Sequence, residues 1–79
     1  MRLRFTAHFQ SRLVERGIDV DHIKRAISSP DFTKHAFEGR VLVRKKVDDA
    51  RVIEVIYFKW GTKKDVEYVI VTAYYPDNL

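Results

Sequence analysis

The hydrophobic period of this chain changes once, at Ser28-Ser29-Pro30. Before that point the apolar residues recur at helical spacing, and after it they alternate in period two. A single change of this kind builds helices followed by strands, which excludes the repeated strand-helix alternation of a parallel α/β sheet. Phe9 and Leu13, four apart, give a first helix its buried face, with Thr6 placed as N-cap and Gly17 as the stop. Asp19 caps a second helix, Ile18 and Ile23 are spaced as a hydrophobic staple, and Ile23, Ala26 and Ile27 line one face until the Ser-Ser-Pro run ends it.

Four strands are predicted beyond that point. Phe32 to Phe37 reads as a short edge strand, Val41 and Val43 anchor a second, Arg51 to Trp60 form a third and Val66 to Tyr75 a fourth. Asp48-Asp49 supplies a turn and Gly61 to Asp65 a loop. The third and fourth strands are apolar on both faces and belong in the middle of the sheet. Short turns pair neighbouring strands antiparallel. The expected fold is therefore α+β in the order ααββββ: two N-terminal helices packed on one face of a four-stranded antiparallel sheet, as one domain over residues 1–79.

Composition narrows the chemistry. The chain has no cysteine, which excludes disulfides, thiolate metal sites and a catalytic thiol. His22 and His35 have no partners at metal-ligand spacing and the carboxylates are scattered, so neither a metal nor another cofactor is expected. No apolar run approaches bilayer length and no signal-peptide pattern opens the chain, so a cytoplasmic location away from membranes is expected. The net charge of +4 is unevenly spread. Residues 1–30 and 31–47 each carry +3, whereas residues 48–79 carry −2. A polyanion such as RNA is attracted to the basic half through counterion release.

Three side-chain sets could act on such a partner. His8, Arg12 and Arg16 project at about 0°, 40° and 80° around the first helix, so an imidazole and two guanidiniums share one face at the border of its buried side. The plain alternative is that the arginines cover the core with their stems and pair with carboxylates such as Glu15. In the second set, alternation sends Arg40, Leu42, Arg44 and Lys46 to one face of a strand, which either tracks phosphates or keeps a sheet edge from aggregating. In the third, Tyr68, Thr72 and Tyr74 fall on one face of the last strand and Ala73 and Tyr75 on the other. RNA carries its own nucleophile, the 2′-hydroxyl, so its cleavage needs only a base, an acid and cations on the phosphorane.

The stretch Ala7-His8-Phe9-Gln10-Ser11-Arg12-Leu13-Val14-Glu15-Arg16-Gly17-Ile18, followed by Pro30-Asp31, Gly39-Arg40 and Val69-Ile70-Val71-Thr72-Ala73-Tyr74-Tyr75-Pro76, resembles the domain of unknown function 4258 family over nearly the whole chain. That family opens on H-x3-R-x3-R-G-I and ends on V-I-T-x-Y, a pattern that falls here on His8, Arg12, Arg16, Arg40, Thr72 and Tyr74. In layout the family resembles the small bacterial nucleases grouped with barnase, colicins and the RelE and ParE toxins, many of which cleave RNA without metal and are neutralised by an antitoxin.

The resemblance implies a metal-independent ribonuclease-like toxin with His8 and Tyr74 as catalytic groups. Arg12, Arg16, Arg40 and Thr72 would bind phosphate, joined by Arg44 from the basic strand read above, and a cognate antitoxin-like protein would be the partner. Two other readings stay open. One is a non-catalytic RNA- or protein-binding module using the same basic face; the other is a structural domain whose sheet edge or helix face docks a partner or a second copy as a homodimer.

Overall fold

In the computed structural model, which describes residues 1–76, the elements are β1 (Leu3–Phe5), α1 (Ala7–Glu15), α2 (Val20–Ser28), β2 (Phe32–His35), β3 (Val41–Lys46), β4 (Val52–Thr62) and β5 (Asp65–Tyr74). A short 3-10 turn, Phe37–Gly39, joins β2 to β3. The five strands form one sheet in the order β1-β5-β4-β3-β2.

Both helices form where their end signals lie. The Thr6 hydroxyl accepts the Phe9 N–H at 3.1 Å and starts α1. At its end, Gly17 (φ 61) donates its N–H to the Val14 carbonyl and Ile18 donates to the Leu13 carbonyl, the paired bonds of a Schellman turn. Ile18 then serves twice. It is buried next to Leu13's end of α1, and it sits opposite Ile23 as the staple of α2, whose N-cap Asp19 accepts the Asp21 N–H at 2.9 Å.

Phe9, Ile18, Ile23, Ala26 and Ile27 cover one face of the sheet and meet Val43, Ile53, Val55, Tyr57, Ile70 and Ala73. The ααββββ order from residue 7 onward and the α+β class therefore stand. The sheet itself differs from the expected four antiparallel strands: it has five, and β1 runs parallel to β5, with Leu3, Arg4 and Phe5 beside Tyr68, Val69 and Ile70. Three residues carry too little periodicity to show as a strand, and no turn joins β1 to its distant partner. The basic strand β3 is interior, flanked by β2 and β4, so its lysines and arginines do not guard an edge.

A second difference sets the chemistry of the faces. Ile56 lies opposite Thr72 but Tyr57 lies opposite Ile70, so Val71 is an extra residue and β5 bulges there. The bulge reverses the alternation. Tyr68 packs towards the helices, its ring 5.6 Å from that of Tyr57, whereas Thr72 and Tyr74 turn to the opposite, helix-free face. Tyr68, Thr72 and Tyr74 thus do not share a face as simple alternation predicts.

The β4–β5 hairpin also closes more tightly than a Gly61-to-Asp65 loop, because Thr62 pairs with Asp65 across only Lys63-Lys64. Gly61 makes this possible: its φ is +110, and a Cβ there would stand 2.2 Å from the Asp65 carbonyl oxygen. Gly61→Ala is expected to cost about 1–3 kcal/mol by forcing that backbone apart. Gly17→Ala, whose Cβ meets nothing within 4 Å, should cost only the left-handed strain of about 1 kcal/mol. Thermal melts of the two variants check the order.

Candidate functional site

The register lines up one residue from each of four strands on the helix-free face. Phe32 is opposite Arg44, Arg44 opposite Glu54, and Glu54 opposite Tyr74. Side chains so placed are neighbours across the sheet, and here they form a continuous chain of contacts. The Arg44 guanidinium lies 5.3 Å from the Phe32 ring centre and donates from Nη2 to Glu54 Oε1 at 3.0 Å. The Tyr74 hydroxyl donates to Glu54 Oε2.

Glu54 is the one acid in the described residues that is buried, its side chain only 6% exposed. A buried carboxylate is tolerated when its oxygens are occupied, and Arg44 and Tyr74 occupy both. The bond to Glu54, with burial adding to it, raises the Tyr74 phenol above its usual value of 10.0, so Tyr74 remains a protonated donor.

Arg16 extends this row past the edge of the sheet. β1 pairs with β5 only up to Ile70, which leaves the outer edge of β5 free beyond the bulge, and α1 packs there. From the C-cap of α1 the Arg16 guanidinium reaches across to donate to Thr72 Oγ1 at 3.2 Å and to the Ala73 carbonyl at 3.0 Å. It is close enough to Tyr74 for its charge to act on the phenol, as is Arg44. Two guanidiniums therefore flank a phenol and a carboxylate.

Of the residues singled out in the sequence, Arg16, Arg44, Thr72 and Tyr74 come together in this row. Arg12 does not join it, since its guanidinium pairs with Glu15 at 2.9 Å on the surface of α1. His8 is exposed at the start of α1, about 12 Å along the helix axis from Arg16. Its imidazole has no hydrogen-bonding partner among the described residues. Arg40 is exposed at the start of β3, on the row's side of the sheet but outside the contact chain.

Two groups outside the sequence-based set complete the arrangement. Glu54 is one; a lone acid within Val52-Ile53-Glu54-Val55-Ile56 is a detectable anomaly, because an apolar strand admits a charge only where a partner waits. The other is a brace beneath Tyr74. The Tyr75 oxygen accepts the Asp19 N–H at 3.1 Å and lies 2.8 Å from Nδ1 of buried His22, whose Nε2 faces Asp19 at 3.7 Å. The Tyr75 hydroxyl thus links the Asp19 backbone to the His22 ring. The Arg51 guanidinium covers the Tyr75 ring at 5.0 Å. This brace ties the end of β5 to the α1–α2 junction and so fixes Tyr74 relative to Arg16.

The row lies on an open sheet face. Two depressions in the surface lie away from the row, one of about 450 Å³ beside Asp31, Lys45 and Asp48 and one of about 470 Å³ beside Lys34, His35 and Phe37. In the first, Asp31 accepts the Lys46 N–H and Asp48 accepts those of Ala50 and Arg51, so these acids clamp turns. Both carboxyls are held below the usual 3.8, chiefly by those backbone bonds. No group of three or more His, Asp or Glu side chains that could hold a metal ion occurs among the described residues, and no helix there is long and apolar enough to cross a membrane.

No curated protein and no solved structure matches the chain. The family described as Domain of unknown function (DUF4258) matches residues 5–75, a span that includes His8, Arg16, Glu54, Thr72 and Tyr74, and the chain belongs to that family.

Proposed function

We propose that this chain is a metal-independent, ribonuclease-like domain of toxin type that binds single-stranded RNA over the Arg16, Tyr74, Glu54, Arg44 row. The observation that carries the reading is the grouping of a buried carboxylate, a phenol held protonated and two guanidiniums on an uncovered face. An open face suits a polymer better than a small molecule, which needs a concave pocket.

In the proposed reaction the 2′-hydroxyl attacks its own 3′-phosphate. The O2′ proton passes to Glu54, displaced from Tyr74 as the phenol turns to the phosphate, and Arg16 and Arg44 hold the phosphorane charge. The P–O5′ bond breaks, and the leaving oxygen takes its proton from the Tyr74 phenol, to which protonated Glu54 then returns the proton it received. The products are a 2′,3′-cyclic phosphate and a 5′-hydroxyl. A toxin-type role further implies a cognate antitoxin-like protein, acidic where it covers this row.

Glu54→Gln and Tyr74→Phe are expected to lower the cleavage rate about 10²–10⁴-fold each, the range of a single proton-transfer group. RNA binding should change little for Tyr74→Phe. Single-turnover assays on RNA labelled at its 5′ end measure both. Unchanged rates in both variants would remove these assignments. The double occupation of Glu54 supports a second reading, a binding module in which the acid only positions Arg44 and Tyr74. RNA then is retained uncut, with an affinity that falls steeply with salt.

A further inference from the structure

The polar row occupies only one end of the helix-free face. Continuing along β4 from Glu54, alternation places Ile56, Phe58 and Trp60 on that same face, with Leu42 opposite Ile56 and Val69 opposite Phe58. This half of the face is apolar and uncovered by the helices. Ile56 and Phe58 are half-buried side by side, and Trp60, the single tryptophan of the chain, is 62% exposed at the far end. From Glu54 to Trp60 the strip spans about 20 Å at the rise of an extended strand.

Its borders are cationic. Arg4 lies opposite Val69 on β1, and Lys34 opposite Leu42 on β2; Arg40 opens β3. The acids that alternation places in this half are Glu67, which faces Arg4 at 3.8 Å, and Asp65 at the hairpin end, which pairs with Arg2, so Lys34 and Arg40 are the margin cations without an acidic partner among the described residues. A strip of exposed aromatic and aliphatic surface between basic margins is complementary to a chain whose bases stack inward and whose phosphates lie outward.

Resting on the RNA-binding reading above, we infer that the Ile56, Phe58, Trp60 strip is a binding track for unpaired nucleobases flanking the phosphate held at the row, and that it restricts the domain to single-stranded RNA. Bases in a duplex are already stacked and cannot be laid on a flat strip. Phe58 and Trp60 take one base face each. Arg4, Lys34 and Arg40 follow the backbone on either side. A second copy of the chain or a protein partner is the competing occupant, and the basic margin is what disfavours it.

The test is fluorescence of Trp60 during titration of the intact chain with an RNA of about 12 nucleotides, a length within the range such surfaces cover. The RNA is 2′-O-methylated throughout, so cleavage through the 2′-oxygen cannot occur. The expected result is saturable quenching by the single strand and none by the same sequence as a duplex. By anisotropy of labelled RNA, Trp60→Ala and Phe58→Ala should each weaken binding about tenfold, and Trp60→Phe by less than about threefold. Circular dichroism melts check that the variants fold.

Equal binding of duplex and single strand, or unchanged affinity in Trp60→Ala, overturns the track. So does a Trp60 signal that varies with protein concentration without RNA, which would show a second copy on the strip. Because the probe is uncleavable, these outcomes are independent of catalysis. A chain that cleaves normally but binds RNA without Trp60 loses only the track, and one that binds at Trp60 but never cleaves loses only the nuclease reading.

Discussion

Arg16→Ala is expected to leave the domain folded and to lower RNA cleavage by about 10²–10³-fold, the usual effect of removing one donor aimed at developing oxyanion charge. The side chain leaves the end of α1, crosses the free edge of β5 and presents its guanidinium beside Thr72, Ala73 and Tyr74. The structural cost is modest. Two exposed or part-buried hydrogen bonds are lost to groups that water can reach, so about 1 kcal/mol of stability goes, a shift of roughly 4–8 °C in a melt. Arg16→Lys retains the charge but not the planar fork, and should recover only part of the rate. A loss of rate that simply follows the loss of folded protein would contradict the assignment.

Phe9→Ala is the largest stability change expected. Phe9 is fully buried on α1, its ring 5.8 Å from that of Phe5 on β1, so it joins the helix to the strand that closes the sheet. Truncating a buried phenylalanine costs about 3–5 kcal/mol through lost transfer energy and the cavity left behind. A domain of this length has roughly 4–12 kcal/mol in total. The variant should therefore melt at least 15 °C lower, or fail to fold at all. Val14, on the same helix but 81% exposed, provides the control, since Val14→Ala should change the melt by less than about 0.5 kcal/mol.

What the sequence makes legible follows the range of the interactions. Helix ends are local. Thr6, Gly17, Ile18 and Asp19 act on residues within five positions, and each does what its type suggests. The meander β2-β3-β4-β5 is nearly as local, because turns join its strands. β1 is not, since its partner lies more than sixty residues away and no turn announces the pairing. The bulge at Val71 also leaves no mark, because an extra valine in Val69-Ile70-Val71 looks like any other strand residue.

That one residue reverses the faces of Thr72 and Tyr74 and so decides the site. The helix wheel places Arg16 beside the buried face of α1 but cannot show that it reaches past the sheet edge. It groups His8, Arg12 and Arg16 by angle alone. The tertiary contacts separate them, drawing Arg16 to β5 and Arg12 to Glu15 and leaving His8 without a partner. Glu54 reverses the lesson: its charge in an apolar strand is visible, while its partners come from strands β3 and β5 and emerge only with the register.

The most direct measurement of the central claim uses two RNAs of one sequence, one all-ribose and one carrying a single 2′-deoxy nucleotide at the cleaved position, incubated with the purified chain in excess chelator. Expected are cleavage of the first, ending in a 2′,3′-cyclic phosphate, no cleavage of the second at that position, and loss of the reaction in Glu54→Gln. Cleavage of both RNAs, dependence on added metal, or equal activity in Glu54→Gln would contradict that claim.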